Sequence, residues 1–277
     1  MRKSLRVAGI ATACAVAGAA LYGTGAATAD STDTTSARHT AEPQNIGVLV
    51  GEIDDYYGAH QDADGVWRSS PDSPYAKDLA RVQAKAKKDI RKAAAHGAKS
   101  DGHGVRGSAH GKKPAIVLDV DDTALLSFDY EKSTNYTYNG ATWDAYVKEA
   151  KRPAVFGMPE LVKYAKGKGV EVFFLTGLSE TQREGAVTNL AKAGYDTKLD
   201  TTHVFTKNKA APPAYLSHCA TPAKWECTTV QFKEGTRKYI ESTGYDIVGS
   251  FGDQVSDLAG GYADKTYKLP NPTYFVE

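Results

Sequence analysis

Residues 115–123 read AIVLDVDDT: four apolar residues, then three aspartates within four positions, then a threonine. A short, continuous apolar run is the mark of a strand buried on both faces, as in a parallel sheet covered by helices. The same kind of run returns at 170–175, 203–205 and 246–250. Helical spacing fills the intervals at 158–168, 181–193 and 232–243, so strand alternates with helix along the C-terminal two thirds. That alternation predicts an α/β fold with a central parallel sheet, of Rossmann-like character.

Aspartates at the mouth of such a strand stand where ligands meet α/β sheets, outside the carboxyl ends of the strands. Three carboxylates so close together repel one another unless something positive joins them. A divalent cation does this, and hard oxygen donors without nearby His or Cys favour Mg²⁺ over zinc. A second acidic pair, Asp253 and Asp257 in GDQVSD, follows the strand at 246–250 and is expected at the same edge. Thr176 and Gly177 end the strand at 170–175 and offer a hydroxyl and open amides to phosphate oxygens. Lys233, at the start of the helix at 232–243, offers an ammonium to the same group. Taken singly, each of these residues also reads as a helix cap or a solvated charge. Four sites in order, each tied to its own element, form a pattern.

DVDDT (119–123), FFLTG (173–177), Lys233 and GDQVSD (252–257) resemble, in order, the four motifs of the haloacid dehalogenase (HAD) superfamily. Residues 174–195, 232–260 and 267–275 are similar to class B-like acid phosphatases and plant vegetative storage proteins, subfamily IIIB. The resemblance spans about residues 113–277. It implies a nucleophilic Asp119, an acid/base Asp121, and phosphoryl contacts from Thr176, Gly177 and Lys233. It also implies Mg²⁺ held by Asp119, the main-chain carbonyl of Asp121 and Asp253, with Asp257 as ligand or supporting partner. Two positions depart from the family pattern: Leu178 stands where Arg often follows the Thr-Gly, and Val255 replaces an aromatic. Arg183, one turn on, is the expected substitute for the missing arginine.

Residues 125–153 interrupt the strand–helix alternation and are dense in aromatics. They are expected to form a small helical cap over the site, with Phe128 and Tyr130 as candidate substrate contacts. The bland alternative is that these rings are the cap's own core.

Upstream, Arg2, Lys3 and Arg6 precede an alanine-rich apolar run, and Ala27-Thr28-Ala29 fits signal-peptidase cleavage between Ala29 and Asp30. The run is short and interrupted for a membrane anchor, and Cys14 lacks the aliphatic neighbour that lipoprotein processing requires. Removal of 1–29 leaves 248 residues and turns the net charge from +1 to −2, because the three charges lost are basic. No basic surplus remains for a nucleic-acid polymer. The two remaining cysteines, Cys219 and Cys227, read as a disulfide in an exported chain, with two free thiols as the alternative. Residues 30–42 read as a disordered leader and 43–113 as a helical extension with a linker at 97–113. Within the extension, 43–57 and 75–96 are the helices, and Asp62–Gly65 only hints at a calcium loop. Residues 114–277 form the core.

The expected protein is thus a secreted, Mg²⁺-dependent phosphomonoesterase acting on a small phosphomonoester, such as a nucleotide or sugar phosphate, through an aspartyl-phosphate. The competing readings are a storage or binding protein of the same fold, and a phosphotransferase in which an alcohol replaces water.

Overall fold

Alternate residues of one strand feed two separate cores. Ile116 and Leu118 point into a cluster with Val172, Phe174 and Val204, while Ala115 and Val117 join Phe173, Leu175 and Ile247 on the other face. This two-sided burial, read from the period-2 geometry of a strand, makes β3 (Lys113–Leu118) the centre of the sheet. The structure is a computed structural model that describes residues 43–97 and 111–276. The signal segment 1–29, the leader 30–42 and most of the linker lie outside the described residues.

The five-stranded sheet has the order β5-β4-β3-β8-β9, and every neighbouring pair is parallel. Its other strands are β4 (Glu171–Ser179), β5 (Val204–Lys207), β8 (Tyr245–Gly252) and β9 (Thr266–Lys268). Chain order reverses on either side of β3, which opens a crevice at the carboxyl ends of β3, β4 and β8. The first face is covered by α2 (Pro74–Gly97), α5 (Met158–Gly167) and α6 (Arg183–Lys192), through Tyr75, Leu79, Ile90, Met158, Leu161 and Leu190. The second face is covered by α7 (Thr229–Ser242) through Phe232 and Ile240. Each such side chain withdrawn from water contributes about 1.5–3 kcal/mol.

The chain divides into two compact units, residues 1–49 and 50–277. Of the first, residues 43–49 are described and hold the start of α1 (Ile46–Tyr57), where the Asn45 side chain accepts from Gly47 N. The second carries everything else. Between α1 and α2 a hairpin, β1 (His60–Gln61) and β2 (Trp67–Arg68), was not expected. Its turn explains the calcium-like Asp62–Gly65: Asp62 accepts from the main-chain N–H of Asp64 and Val66 and pairs with Arg68, so its oxygens are already used.

The cap comprises α3 (Phe128–Ser133) and α4 (Gly140–Glu149), the latter capped by the Asn139 side chain. A second small hairpin, β6 (Ala220–Thr221) and β7 (Lys224–Trp225), is closed by the Cys219–Cys227 disulfide. Among the described residues no helix is long and apolar enough to cross a membrane.

Two of the element boundaries that differ from expectation change the setting of a site residue. β4 runs to Ser179, so Thr176 and Gly177 lie within it, at a break in register with β5 between Leu175 and Ser179. Helix α7 begins three residues earlier than its apolar spacing shows, because Thr228 and Gln231 form a capping box. Lys233 therefore sits in the second turn. The last helix, α8 (Val255–Leu258), is a single turn after β8.

Candidate active site

Asp119 follows β3 directly, and its main-chain N–H continues the sheet by donating to the carbonyl of Phe251 at 2.9 Å. β8 ends beside it and leads directly into Asp253, and α8 carries Asp257. The carboxylate oxygens of Asp119, Asp253 and Asp257 lie within 4.8 Å of one another, all buried. Gly252 makes this approach possible: a Cβ there would fall 2.3 Å from the Cβ of Asp257. Asp257 is further fixed by accepting from Gln254 N at 2.9 Å.

Lys233 reaches this cluster from α7. Its ammonium donates to Asp119 and, at 2.5 Å, to Asp257. Burial disfavours the charged amine, but the two carboxylates outweigh it and hold the pKa above the usual lysine range. Burial pushes Asp119 up against the pull of Lys233, and Asp257, Asp253 and Asp121 push the same way. Asp253 is driven up to about 7 by burial and by Asp257 and Asp122, although Asn271 and Gln254 donate to it. Three crowded carboxylates with one ammonium leave an excess of negative charge. Their hard oxygen donors fit a divalent cation of the Mg²⁺ type.

The three aspartate side chains of DVDDT take different partners and do not all join the acidic cluster. Asp121 is paired with Arg152, and its other oxygen accepts from Thr176 Oγ1 at 3.2 Å. Asp122, at φ 52°, accepts from Ser127 N and from the hydroxyls of Ser127 and Tyr274, which pins the turn after β3. Only Asp119 is left facing the acidic cluster. The Asp121 side chain lies outside that cluster, so its main-chain carbonyl is what remains to it as a metal ligand. Thr176 is fully buried with its hydroxyl turned to Asp121 and to Leu178 N, whereas Gly177 lines the cavity above.

That cavity, about 540 Å³, lies over Asp119, Asp121, Asp253, Asp257 and Lys233. Its cap wall presents Glu131, Tyr136, Tyr138 and Trp143, and the C-terminal segment adds Tyr274 and Phe275. Phe128 and Tyr130 do not line it. Phe128, 2% exposed, stacks on Tyr57 in the main core with centroids 4.3 Å apart. Tyr130, 4% exposed, packs on Trp143 and Tyr146 and hydrogen-bonds Thr142. Both are structural rings, because α3 turns that face inward. Arg183 is likewise absent from the cavity: it is paired with Glu180 and donates to the Val204 carbonyl and Thr206. Leu178 is buried in a small cluster with Val147 and Ala186, with Trp143 packed against it, and Val255 is exposed.

Three residues in or beside the cavity were not expected from the sequence. Arg152 is fully buried between Asp121 and the rings of Trp143 and Tyr146, at 5.6 and 6.0 Å, and its main chain is clamped to Asn189 of α6. Its position just beyond the aromatic run was the available signal. Lys207 ends β5 and reaches towards Gly177, its Nζ 3.8 Å from where a Cβ on that glycine would be. Among the described residues no carboxylate pairs with it. Burial and the charges of Lys233 and Lys209 depress its pKa. Glu131, on α3, is pushed up to about 7 by burial and by Asp122.

The site is thus a parallel α/β sheet with four carboxylates and a buried lysine at its strand ends, beneath a capped cavity. The chain belongs to the HAD superfamily, subfamily IIIB (acid phosphatase), whose pattern matches residues 68–277. It is 33% identical over 173 residues to the stem 28 kDa glycoprotein of Glycine max, covering 60% of this chain and 61% of that one. It is 30% identical over 164 residues to acid phosphatase 1 of Solanum lycopersicum, covering 58% of each. Vegetative storage protein 1 of Arabidopsis thaliana is 29% identical over 167 residues, covering 58% and 54%. The chain thus spans little more than half the length of these relatives. A class C acid phosphatase from Bacillus anthracis with tungstate bound is a structural neighbour with a TM-score of 0.46 and 22% identity, covering 68% of this chain and 79% of that one.

Proposed function

We propose that the protein hydrolyses small phosphomonoesters through a phosphoryl-enzyme on Asp119. The observation that carries this reading is the buried Asp119–Lys233–Asp257 arrangement, with Asp253 beside it, at the floor of the cavity. An Asp119 oxygen attacks phosphorus as the ester P–O bond breaks, and Asp121 gives its proton to the departing alcohol oxygen. Asp121 then takes a proton from water, which attacks the same phosphorus and releases inorganic phosphate with Asp119 restored. Arg152 and Thr176 orient Asp121 for both transfers. Lys233, and Lys207 at the rim, draw the phosphoryl oxygens, and Gly177 leaves room for them.

Asp119, Asp253, Asp257 and the main-chain carbonyl of Asp121 would hold Mg²⁺, which would supply charge to neutralise the phosphoryl oxygens. The rings of Tyr136, Tyr138 and Trp143 favour alcohols that carry a ring. The disulfide and the N-terminal pattern support export, with cleavage between Ala29 and Asp30. The domain division that accompanies this reading is a core at 114–277 with its cap at about 125–153, preceded by the extension.

The test is a panel of phosphomonoesters with the mature protein and Mg²⁺, read as released phosphate. Turnover of at least one class is expected, and its absence across the panel defeats the proposal. In that case the storage reading, which the likeness to vegetative storage protein 1 favours, takes its place. Adding a competing alcohol to an active sample separates hydrolysis from phosphoryl transfer.

A further inference from the structure

The cavity holds one carboxylate that phosphoryl chemistry does not use. Glu131 is 7% exposed and lines the cap wall beside Tyr136, Tyr138 and Trp143. Among the described residues its carboxyl has no hydrogen-bond or ion-pair partner, and only burial and Asp122 act on it. Every other carboxylate lining the cavity has a partner: Asp119 and Asp257 share Lys233, Asp121 has Arg152, and Asp253 has Asn271. A carboxyl largely withdrawn from water and without a protein donor costs the fold free energy, because the hydration it has lost is not replaced. A donor arriving with a ligand would supply what is missing.

That donor is not on the phosphoryl group, since two anions repel. The lysines lining the cavity, Lys207 and Lys233, come from β5 and α7 of the core, whereas Glu131 belongs to the cap. Phosphoryl oxygens are drawn to the core side and the alcohol portion is left for the cap. We infer that Glu131 recognises a hydrogen-bond donor, a hydroxyl or an ammonium, on the alcohol portion of the substrate. It is then a specificity residue that adds to kcat/KM only for esters whose alcohol portion carries such a donor, independently of the preference the rings give. This inference rests on the phosphatase reading above.

The test compares glycerol 3-phosphate, O-phosphoethanolamine and phenyl phosphate as substrates of the wild type, Glu131→Gln and Glu131→Ala. A hydrogen bond to a charged group corresponds to about a 10- to 100-fold preference. Glu131→Ala is expected to lose that factor in kcat/KM on at least one donor-bearing ester while changing phenyl phosphate by less than about 3-fold. Loss on the glycerol ester identifies a hydroxyl, and loss on the ethanolamine ester an ammonium. Glu131→Gln keeps the side-chain volume and should show the same selectivity in weaker form. Equal losses on all three esters, or none, overturn the inference. A wild type that turns over none of them defeats the phosphatase reading instead. The affinities of the same three esters, measured by calorimetry on wild type and variants, then still decide whether Glu131 binds a donor.

Discussion

Asp119 and Asp121 are two residues apart and have different neighbours, the first Lys233 and the second Arg152 and Thr176. Their asparagine variants should therefore fail differently. Asp119→Asn removes the attacking oxygen and one side of the acidic cluster. The loss of turnover should exceed the roughly 10²–10⁴-fold usual for a single acid/base group. Asp121→Asn leaves the proposed nucleophile in place but slows hydrolysis of its acyl phosphate, so rapid quenching with 4-nitrophenyl phosphate should trap phosphate on Asp119. Peptide mapping that finds the phosphate elsewhere contradicts the assignment. Among the described residues Lys207 has no carboxylate partner, so Lys207→Gln removes an anion contact at little cost to the fold. The constant for competitive inhibition by inorganic phosphate should rise about 10-fold, the size of one charge-assisted hydrogen bond. Glu131 gives a stability test whose sign is fixed. Its pKa moves from 4.5 in the unfolded chain to about 7 in the fold. Between those values the folded state keeps a proton that the unfolded state has lost, so stability falls as pH rises through this window. Relative to Glu131→Gln, the wild type should lose on the order of 1 kcal/mol between pH 4.5 and 7, after allowance for solvent screening. Urea unfolding at both pH values measures it.

At the scale of elements, the cap divides its aromatics between two tasks according to the face each helix or loop turns inward. Phe128, on the inner face of α3, is locked against Tyr57 of α1. Phe128→Ala should cost about 3–5 kcal/mol through the cavity it leaves, while KM in the surviving folded fraction stays near the wild-type value. Tyr138, 72% exposed, lies in the loop before α4 and lines the cavity mouth. Tyr138→Ala should leave the melting temperature unchanged and raise KM for ring-bearing esters above that for small sugar phosphates. Calorimetric melting and steady-state kinetics on both variants check the division, and a reversal of the two patterns contradicts it. A similar division runs through the turn after β3, where Asp122 holds the loop to Ser127 and Tyr274 while its neighbour Asp121 is left for chemistry.

For the whole molecule, a metal ion held by the acidic cluster would couple its binding to folding. Asp119 is far in sequence from Asp253 and Asp257 and meets them only in the folded state, so an ion bound there would stabilise that state by mass action. Mg²⁺ at about 100 times its dissociation constant should add about 2.7 kcal/mol, read as a rise in melting temperature. Chelation should abolish turnover and reverse the rise, and restored Mg²⁺ should recover both. A melting temperature that does not respond to Mg²⁺, with activity that survives chelation, rules out the metal.

The strand–helix alternation, the two-sided core and the identity of Asp119, Lys233, Asp253 and Asp257 could be read from the sequence, because each rests on local periodicity or on a motif tied to the end of one element. The reach of α7 could have been read as well, from Thr228 and Gln231. Contacts between distant segments could not. Which aromatics of 125–153 face the core was hidden, because α3 is only six residues long and its orientation is set by packing against Tyr57. Arg183 looked available, but the folded chain pairs it with Glu180, while Arg152 and Lys207, which carry no motif, were brought beside Asp121 and Gly177. The three aspartates of DVDDT are alike in sequence. What sets them apart is the partners that tertiary packing gave each one, Lys233 for Asp119, Arg152 for Asp121, and Ser127 with Tyr274 for Asp122, because a carboxylate buried away from water takes its chemistry from the charges and donors around it.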